Sequence, residues 1–496
     1  MVATATIEAR LFEPIAELSD NVRTRFYIDG LWQAPASQER FQLVSPVTEE
    51  VTLSVPAGAP KDMEAAIAAA RRAFDVGEWP RLSPAERATY LRRIAEEIDR
   101  RLDLFQRVWI GQVAAPRWFV GAISGAAAQH FRYYADLADS YPFEESRPAG
   151  TGRLKVLREP VGVAALIIPW NAPLVLLTQK MAAGLLAGCT LVVKPSPETP
   201  LDALLLAECV EAAGVPPGVV NVVPAGREVG ALLVSDPRID KVSFTGSTAA
   251  GRHIAGVCAD RLARVGLELG GKSASILCED ADVGAWMQSV APFTMPFSGQ
   301  ICFSQTRILV PRSRHDEFLD AYVAGVESLK VGDPWREETQ IGPVSMARQR
   351  DRVLEYVGIG RHEGARVVTG GGPASGFDRG YFVAPTVFDR VTNDMRIAQE
   401  EIFGPVVSVI SYGNEDEAVA IANDSDYGLS GSVFAGDPQR AEAIARRVRT
   451  GHICVNGFNL DVVAPFGGFK MSGVGRESGP EGLAGFLETK SMFLPG

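Results

Sequence analysis

The chain has 496 residues, 46% hydrophobic and 22% charged, which is the composition of an ordinary globular protein. A chain of this length exceeds what one hydrophobic core can serve, so two or three domains are expected. The net charge of −11 and the pI near 5.2 speak against nucleic acid or an anionic membrane as the main partner.

The cysteines and histidines are scattered along the chain. The six cysteines lack any C-x-x-C spacing and the five histidines lack ligand spacing, so neither a disulfide framework nor a metal site is predicted. No continuous apolar run opens the chain, and no secretory signal is predicted. A reducing compartment, the cytoplasm, is the expected location.

Two helices are predicted first along the chain. Alanines with apolar positions three and four apart predict a helix over residues 62–74. The sequence Ser83-Pro84-Ala85-Glu86 is a capping box with proline in the first turn, and it predicts a second helix that continues to about Leu104.

Residues 160–179 carry no charge and are long enough to span a bilayer. Pro169, Asn171 and Pro173 interrupt this stretch, and a lipid-exposed helix broken there would leave backbone groups without partners. A buried strand, a turn and a helix are therefore predicted, and no membrane is expected as a partner.

Short β-branched runs then alternate with helical patterns. The predicted strands are residues 161–168, 190–194, 219–223, 242–245 and 265–269, with helices over 201–213 and 228–234. Apolar strands separated by helices indicate a doubly wound α/β fold, a parallel sheet covered on both faces. A ligand is expected at the carboxyl ends of these strands. A second α/β block, with strands at 308–310 and 406–410, follows to about Ser472.

The segment from Phe244 to Gly251 follows one predicted strand and opens a helix. Gly246 would let the backbone approach a phosphate, and the helix N-terminus at Ser247 offers free N–H groups. The alternative is an ordinary strand-to-helix turn with a serine cap, since the G-x-G-x-x-G fingerprint is absent.

Two polar residues end neighbouring strands. The amide of Asn171 could donate to a developing oxyanion, although an Asx turn between prolines is the commoner reason for such a residue. Lys194 could reach a ribose or a phosphate, although a solvated surface lysine is the common case.

Cys302 and Glu268 supply a nucleophile and a base. Cys302 follows Gly299 in a loop, where a reactive thiol needs partial exposure and a positive or dipolar setting that lowers its pKa. Glu268 lies between Leu267 and Leu269, where desolvation would raise its pKa towards that of a useful base. A buried structural cysteine and a salt-bridged glutamate are the alternatives.

Seven motifs in this order resemble the NAD(P)-dependent aldehyde dehydrogenase superfamily, and the resemblance covers residues 25–494. The motifs are Pro169-Trp170-Asn171, Lys194-Pro195-Ser196, Phe244-Thr245-Gly246-Ser247-Thr248, Glu268-Leu269-Gly270-Gly271-Lys272, Gly299-Gln300-Ile301-Cys302, Glu401-Ile402-Phe403-Gly404-Pro405 and Pro465-Phe466-Gly467-Gly468-Phe469-Lys470.

The resemblance implies a mechanism. Cys302 would attack the aldehyde to form a thiohemiacetal, with the oxyanion held by Asn171 and by the Cys302 backbone N–H. Hydride transfer to the nicotinamide would leave a thioester, and Glu268 would activate the water that hydrolyses it. Lys180 would assist proton release.

The resemblance also implies two sets of binding residues. NAD, with NADP as an alternative, would contact Ile167, Ile168, Pro169, Trp170, Lys194, Ser196, Pro197, Gly226, Gly230, Phe244, Gly246, Ser247, Leu269, Gly270, Glu401 and Phe403. The aldehyde would contact Ala172, Leu176, Gln179, Ile301, Phe303, Leu460 and Phe466. This second set is mostly apolar, so a bulky hydrophobic aldehyde, aromatic or terpenoid, is the expected substrate.

The implied domain division has three parts. Residues 1–139 and 160–270 would bind the cofactor, residues 271–472 would form a second, catalytic α/β domain, and residues 140–159 and 473–496 would form small β arms for oligomerisation. A homodimer or homotetramer is expected.

Two features depart from the family pattern. Pro197 stands where many NAD-using relatives have a ribose-binding glutamate, with Glu198 displaced by one position, so NADP use stays open. Residues 295–298, Met-Pro-Phe-Ser, are unusual before Gly299. Two rivals remain: a CoA-acylating relative, against which Glu268 argues, and a catalytically silent structural or binding relative, against which the presence of Cys302, Glu268 and Asn171 argues.

Overall fold

The computed structural model describes residues 16–150 and 152–495. The prediction of no secretory signal applies to the first twenty residues, of which residues 1–15 lie outside the described part of the chain. The strands within that part, in chain order, are β1 Phe26–Ile28, β2 Leu31–Gln33, β3 Arg40–Val44, β4 Val51–Pro56, β5 Glu144–Arg147, β6 Arg153–Pro160, β7 Val163–Ile167, β8 Thr190–Lys194, β9 Val220–Val222, β10 Lys241–Thr245, β11 Arg264–Glu268, β12 Ala274–Leu277, β13 Arg307–Pro311, β14 Arg366–Thr369, β15 Thr386–Asp389, β16 Val406–Tyr412, β17 Gly431–Phe434, β18 Cys454–Val455, β19 Gly473–Val474 and β20 Leu487–Leu494.

The α-helices fill most of the chain between the strands. They are α1 Asp20–Thr24, α2 Pro60–Asp75, α3 Pro84–Arg100, α4 Leu102–Val113, α5 Arg117–Ile123, α6 Ala126–Leu137, α7 Pro173–Ala187, α8 Leu201–Ala212, α9 Arg227–Ser235, α10 Thr248–Asp260, α11 Val283–Ser289, α12 His315–Glu327, α13 Ala347–His362, α14 Arg396–Gln399, α15 Glu415–Asn423, α16 Pro438–Ala445 and α17 Gly479–Ala484.

The larger sheet has eight strands in the order β19-β11-β10-β7-β8-β9-β1-β2. Strands β7 to β11 pair in parallel, while β1, β2 and β19 join antiparallel. The chain moves outward from β7 through β8 to β9 and then returns to the other side of β7 as β10. This reversal creates a crevice at the carboxyl ends of β7 and β10, where such sheets bind ligands.

Side-chain alternation explains why this sheet is buried on both faces. In β7, Ala164 and Leu166 pack into the core with α3, α6, α7 and α8, whereas Val163 and Ala165 pack into a second core with α2, α9 and α10. A strand buried on both faces must be apolar throughout, as the sequence of β7 is. The predicted doubly wound α/β fold is confirmed.

The second sheet has the order β14-β15-β16-β13-β12-β17-β18 and is parallel except at its first pair. Two cores containing residues from its strands flank it, one with α13 and α15 and the other with α11 and α12. The loop that carries Cys302 enters this sheet directly at β13. A second α/β unit therefore follows the first, as predicted.

A small three-stranded sheet has the order β20-β6-β5. It includes β5 and β6, which lie in the segment 140–159 predicted as an arm, and β20, which lies in the segment 473–496. Residues 473–474 pair with β11 of the large sheet and α17 packs on α7, so within the stretch from 473 to the end β20 alone joins the small sheet. The division into functional domains stays a prediction.

The predicted element boundaries agree with the structure except at one helix. The capping box at Ser83 forms, with the Glu86 carboxylate accepting from the Ser83 N–H at 2.7 Å. The helix ends at Arg100 rather than near Leu104, because Arg101 has φ −111° and ψ 8° and a new helix starts at Leu102. Apolar spacing continues across this change of direction and does not reveal it. No helix in residues 16–150 and 152–495 is long and apolar enough to cross a membrane.

Candidate active site

The crevice between β7 and β10 is built from two strand ends and a helix start. Strand β10 runs directly into α10, whose N-terminus is capped by Ser247, with Oγ accepting from the Ala250 N–H at 3.3 Å. Gly246 lies against the Phe244 ring, since a Cβ at 246 would stand 2.5 Å from that ring. The packing leaves bare backbone before a helix N-terminus, which suits a phosphate group.

The loop before the thiol has an unusual backbone. Phe297 and Ser298 adopt left-handed conformations, with φ 47° and 54°. The Phe297 ring is buried and stacks on Phe119 at 5.9 Å, and the Ser298 hydroxyl donates to the Gly342 carbonyl at 2.8 Å. Gly299 is required because a Cβ there would stand 2.0 Å from the Gly404 carbonyl oxygen. Contacts from three distant segments therefore fix this loop.

Cys302 is half-buried and lies against the end of β11. A Cβ at Gly271 would stand 2.4 Å from the Cys302 carbonyl oxygen, so the base-bearing segment and the thiol loop touch. The setting expected to lower the pKa of the thiol is not found. Burial, together with the carboxylates of Glu401 and Glu268, raises the pKa of Cys302 well above its usual value.

Glu268 is buried at the end of β11, and neither of its carboxylate oxygens has a hydrogen-bond partner. Desolvation and the nearby Glu477 raise its pKa well above the usual value, against the opposing effect of Lys180 and Arg476. This is the direction predicted from its apolar neighbours. A raised pKa makes this carboxylate a stronger proton acceptor than an exposed one, as a general base must be.

Lys180 on α7 forms a buried ion pair with Glu477, which lies just after β19. The second carboxylate oxygen of Glu477 is buried without a partner. Both side chains line a cavity of about 230 Å³ that also contacts Glu268 and Ser243. These three ionisable groups therefore share one cavity, which we call the polar cavity after them.

Asn171 follows β7 and is buried. Its side-chain amide donates to the Gln300 backbone carbonyl at 3.0 Å, and the backbone carbonyl of Asn171 accepts from the Trp109 indole at 3.0 Å. The amide has two N–H donors, so one remains after the Gln300 bond. The structure brings this donor beside the loop that carries Cys302.

Glu401 reaches the same place from the second α/β unit. Its carboxylate accepts from the Gly271 N–H at 3.0 Å, and burial raises its pKa to about 7. Phe403, with φ 62°, packs edge-on against Trp170 with 5.5 Å between ring centroids. Gly270 is small by necessity, because a Cβ there would stand 2.5 Å from the Glu401 carboxylate.

Lys194 ends β8 as a buried cation rather than a surface lysine. Its ammonium donates to the Pro195 and Ala225 carbonyls at 3.1 and 2.9 Å, and desolvation lowers its pKa to about 8. Gly230 on α9 packs on its stem, where a Cβ would stand 3.2 Å away. Gly226 caps the same helix.

The remaining cofactor candidates lie along the same strand ends. The Ile168 N–H donates to the Lys194 carbonyl at 3.1 Å, which joins the ends of β7 and β8. Glu198 accepts from the Ser196 hydroxyl and pairs with Arg348 at 2.5 Å. Others in this group, buried or at the crevice wall, are Ile167, Pro169, Pro197 and Leu269.

Of the seven substrate candidates, four belong to one cluster of packed apolar side chains: Ala172, Leu176, Ile301 and Phe303. We call this cluster the apolar pocket, after the aldehyde-binding role proposed for it. Gln179 lies outside this cluster. Its side-chain amide donates to the Ser478 hydroxyl at 2.8 Å, and the residue lines the polar cavity. The Phe466 ring lies 6.4 Å from His452, and Leu460 is 43% exposed on a loop.

The substrate residues predicted from the sequence do not include the side of the apolar pocket formed by α4 and α5. Helices α4 and α5 contribute Trp109, Val113, Trp118, Phe119 and Val120 to it. The available signal was the aromatic pair in the sequence Arg117-Trp118-Phe119-Val120, directly after Pro116. The helical spacing of this segment alone does not reveal which part of the chain its side chains pack against.

A sequence model of the aldehyde dehydrogenase family matches residues 32–492. The chain is 48% identical over 472 residues to a geranial dehydrogenase of Castellaniella defragrans, with 95% of this chain and 98% of the relative covered. It is 42% identical to a 3-succinoylsemialdehyde-pyridine dehydrogenase of a Pseudomonas species, with 94% and 98% covered.

Solved structures agree with this. An aldehyde dehydrogenase of Mycobacterium tuberculosis, complexed with NAD+, superimposes with a TM-score of 0.93 at 44% identity, covering 95% of this chain and 98% of that one. A mutant of aldehyde dehydrogenase C from Pseudomonas syringae, complexed with NAD+ and octanal, gives 0.92 at 41% identity, covering 96% and 98%. With the thiol, the buried glutamate and the asparagine in one crevice, this chain belongs to the aldehyde dehydrogenase family.

Proposed function

We propose that the protein oxidises a bulky, hydrophobic aldehyde to the carboxylic acid with NAD as the hydride acceptor. The observation that carries the proposal is the meeting of Cys302, Glu268 and Asn171 at one end of an apolar pocket. A nucleophile, a base and an oxyanion donor at one point are what acyl chemistry through a thioester requires.

Cys302 attacks the carbonyl carbon. A C–S bond forms, the carbonyl oxygen becomes an oxyanion, and the thiol proton leaves, giving a thiohemiacetal once the oxygen is protonated. The free N–H of the Asn171 amide supplies a hydrogen bond to the developing negative charge. Because this donor is already held by the Gln300 bond, little reorganisation is needed when the charge forms.

The crevice fits a dinucleotide. Backbone exposed at Gly246, the start of α10 and the buried cation of Lys194 suit phosphate and ribose groups. Glu401 and Phe403 lie beside Cys302 and Trp170, where the nicotinamide end would be held. When bound, oxidised nicotinamide accepts a hydride, and its ring carries the positive charge that the surroundings of Cys302 lack.

Hydrolysis of the thioester falls to Glu268. Its unpartnered, desolvated carboxylate takes a proton from water, whose oxygen attacks the acyl carbon and displaces the Cys302 sulfur. Lys180 and Glu477 in the adjoining cavity are placed to pass that proton on. A CoA-acylating enzyme would not need this base, so its burial at the thiol supports hydrolysis.

The substrate class is supported by the walls of the apolar pocket and by two relatives. Trp109, Phe119, Leu176 and Phe303 pack together in this cluster of aromatic and aliphatic side chains, and Phe303 directly follows Cys302. One relative bears the name geranial dehydrogenase, and another was crystallised with octanal. Each buried methylene contributes about 0.8 kcal/mol, so a long apolar chain gains affinity there that acetaldehyde cannot.

An aldehyde panel tests this. We expect kcat/KM for geranial, octanal and cinnamaldehyde to exceed that for acetaldehyde by on the order of 100-fold, the effect of a few buried methylenes. The measurement is NADH formation at 340 nm, roughly the absorbance maximum of the reduced ring, with no CoA added. Equal kcat/KM for acetaldehyde and the bulky aldehydes would refute the substrate class.

A narrowed pocket is the matched control for that panel. Ala172 lies in the apolar pocket at the start of α7, where a larger side chain takes up space. We expect Ala172→Phe to lower kcat/KM for geranial while leaving acetaldehyde oxidation close to that of the wild type. A parallel loss for both aldehydes would point to damaged folding rather than a narrowed pocket.

We propose NAD as the preferred cofactor, with NADP also accepted. Pro197 provides no acceptor at the position where the family resemblance places the ribose-binding glutamate. Glu198 is held by Ser196 and Arg348, and a cavity of about 350 Å³ lies beside Pro197, Glu198 and Arg348. A 2′-phosphate bound there would be repelled by the Glu198 carboxylate and attracted by the Arg348 guanidinium. The two residues therefore have opposite effects on NADP binding.

Cofactor affinity should respond to that ion pair. We expect Glu198→Gln to tighten NADP binding by about tenfold, about 1.4 kcal/mol, because it removes repulsion and frees Arg348. NAD binding should stay unchanged. Titration calorimetry with each dinucleotide measures both, and Arg348→Ala is the control that should weaken NADP alone. Equal shifts for NAD and NADP in the Gln variant would disprove the role of this pair.

Assembly into a homodimer or homotetramer stays a prediction. It is supported by the small sheet, whose edge strand β20 leaves Phe493 69% exposed. The mass in solution, measured by light scattering, decides it, and a monomer at all concentrations would contradict it.

A further inference from the structure

His452 lies outside the groups used by the mechanism. Its ring makes two hydrogen bonds and a longer contact of 3.6 Å between Nε2 and the Cys454 sulfur. Nδ1 lies 3.0 Å from the Ser430 hydroxyl, and Nε2 lies 2.9 Å from the Asn459 carbonyl oxygen. A carbonyl can only accept, so Nε2 carries the proton and Nδ1 accepts from Ser430. Burial lowers the pKa of His452, which favours this neutral form.

The carbonyl that His452 holds belongs to a loop, residues 456–460, that follows the short strand β18. Asn456 opens the loop in a left-handed conformation, φ 52°, and its side chain accepts from the Ala435 N–H at 2.8 Å. At the other end the Asn459 N–H donates to the Cys454 sulfur at 3.4 Å. Both polar backbone groups of Asn459 are therefore bound.

Between these two anchors the loop carries Phe458. Its ring lies 5.2 Å from Phe303 and 4.5 Å from Phe293, and the His452 ring packs edge-on against it at 5.5 Å. Phe303 directly follows Cys302 and belongs to the apolar pocket. Phe458 therefore supports Phe303, the residue of the apolar pocket next to Cys302.

We propose that His452 is a positioning residue for substrate choice: it holds the 456–460 loop so that Phe458 supports Phe303 as a wall of the apolar pocket. This inference rests on the aldehyde oxidation proposed above. Loss of the His452 bond to Asn459 removes one of the loop's anchors and loosens the loop around Phe458, so that the wall packs less firmly against a bulky substrate. A two-carbon aldehyde does not reach the wall and is not affected.

Two substitutions separate the bonds of His452. An asparagine amide reaches about as far as Nδ1 and a glutamine amide about as far as Nε2, so His452→Asn keeps the Ser430 contact and His452→Gln keeps the donor to Asn459. We expect His452→Asn to raise KM for geranial about tenfold with kcat and all acetaldehyde constants unchanged. His452→Gln should restore the geranial KM to within about twofold of wild type.

Ser430→Ala provides a second variant in case His452→Asn does not fold. It removes the hydroxyl that donates to Nδ1 and orients the His452 ring, and we expect the geranial KM to rise about threefold while the acetaldehyde constants are unchanged. Parallel changes for both aldehydes in the folded variants, or no change in any variant, would overturn the positioning role. A wild-type enzyme without aldehyde turnover would overturn the proposed function, and this inference with it.

Discussion

Replacing Cys302 with alanine is expected to reduce aldehyde oxidation by about 10⁴-fold or more, which corresponds to about 5.4 kcal/mol of transition-state stabilisation. The sulfur forms the bond to the substrate, and no neighbouring group can replace it. Glu268 could at most activate water, and that would not give an intermediate able to lose hydride at the same rate. Initial rates of NADH formation with geranial measure the loss.

The alanine variant should still bind NAD, because Cys302 contributes no group to the phosphate and ribose positions proposed at Gly246 and Lys194. Titration calorimetry with NAD checks this and shows that the variant is folded. The matched control is Cys278→Ala, a buried cysteine at the end of β12 in the second sheet, which should retain turnover. Substantial activity in Cys302→Ala would refute the assignment of the nucleophile.

Replacing Glu268 with glutamine is expected to stop the reaction at the thioester. The amide keeps the size of the side chain but cannot take a proton from water. The first turnover should release reduced cofactor as a rapid burst of about one equivalent per active subunit. Steady turnover should then fall by about 10² to 10⁴-fold, the usual contribution of a general base. Rapid mixing with geranial and NAD resolves the two phases.

Two further measurements test whether thioester hydrolysis is the step that Glu268→Gln blocks. Mass spectrometry of the Glu268→Gln enzyme should find the acyl group on the peptide that contains Cys302. In the wild type, the ionised, basic form of Glu268 gains population as the pH rises through its raised pKa. Hydrolysis of the thioester should therefore speed up over the same pH interval. The glutamine variant should lack this rise. A CoA-acylating enzyme would instead turn over in Glu268→Gln once CoA is supplied, and a silent relative would show no burst.

Much of the fold followed from the sequence because local patterns and tertiary packing agree there. Strand β7 is apolar at every position, and a strand buried on both faces needs that. The capping box at Ser83 is a contact within four residues, so it could be read locally. Cys302, Glu268 and Asn171 were found through their chemistry and motifs, and the structure brings all three together.

What the sequence did not reveal depends on contacts between distant segments. The pocket wall on α4 and α5 was missed because helical spacing does not say what Trp109 and Phe119 face. Gln179 was assigned to the aldehyde, but Ser478, far along the chain, draws its amide into the polar cavity. Cys302 was expected to lie in a setting that lowers its pKa, whereas burial raises that pKa, and so do the carboxylates of Glu401 and Glu268 from two other segments.

The left-handed pair Phe297 and Ser298 has a consequence for protein engineering. Each non-glycine residue held in this conformation costs of order 1–3 kcal/mol, which the burial of Phe297 and the bond to Gly342 must offset. A short peptide copied from this region would not keep that shape by itself. Grafting Gly299-Gln300-Ile301-Cys302 into another scaffold therefore transfers a thiol without its placement. A working transplant would have to include the supporting segments around Phe119, Gly342 and Gly404.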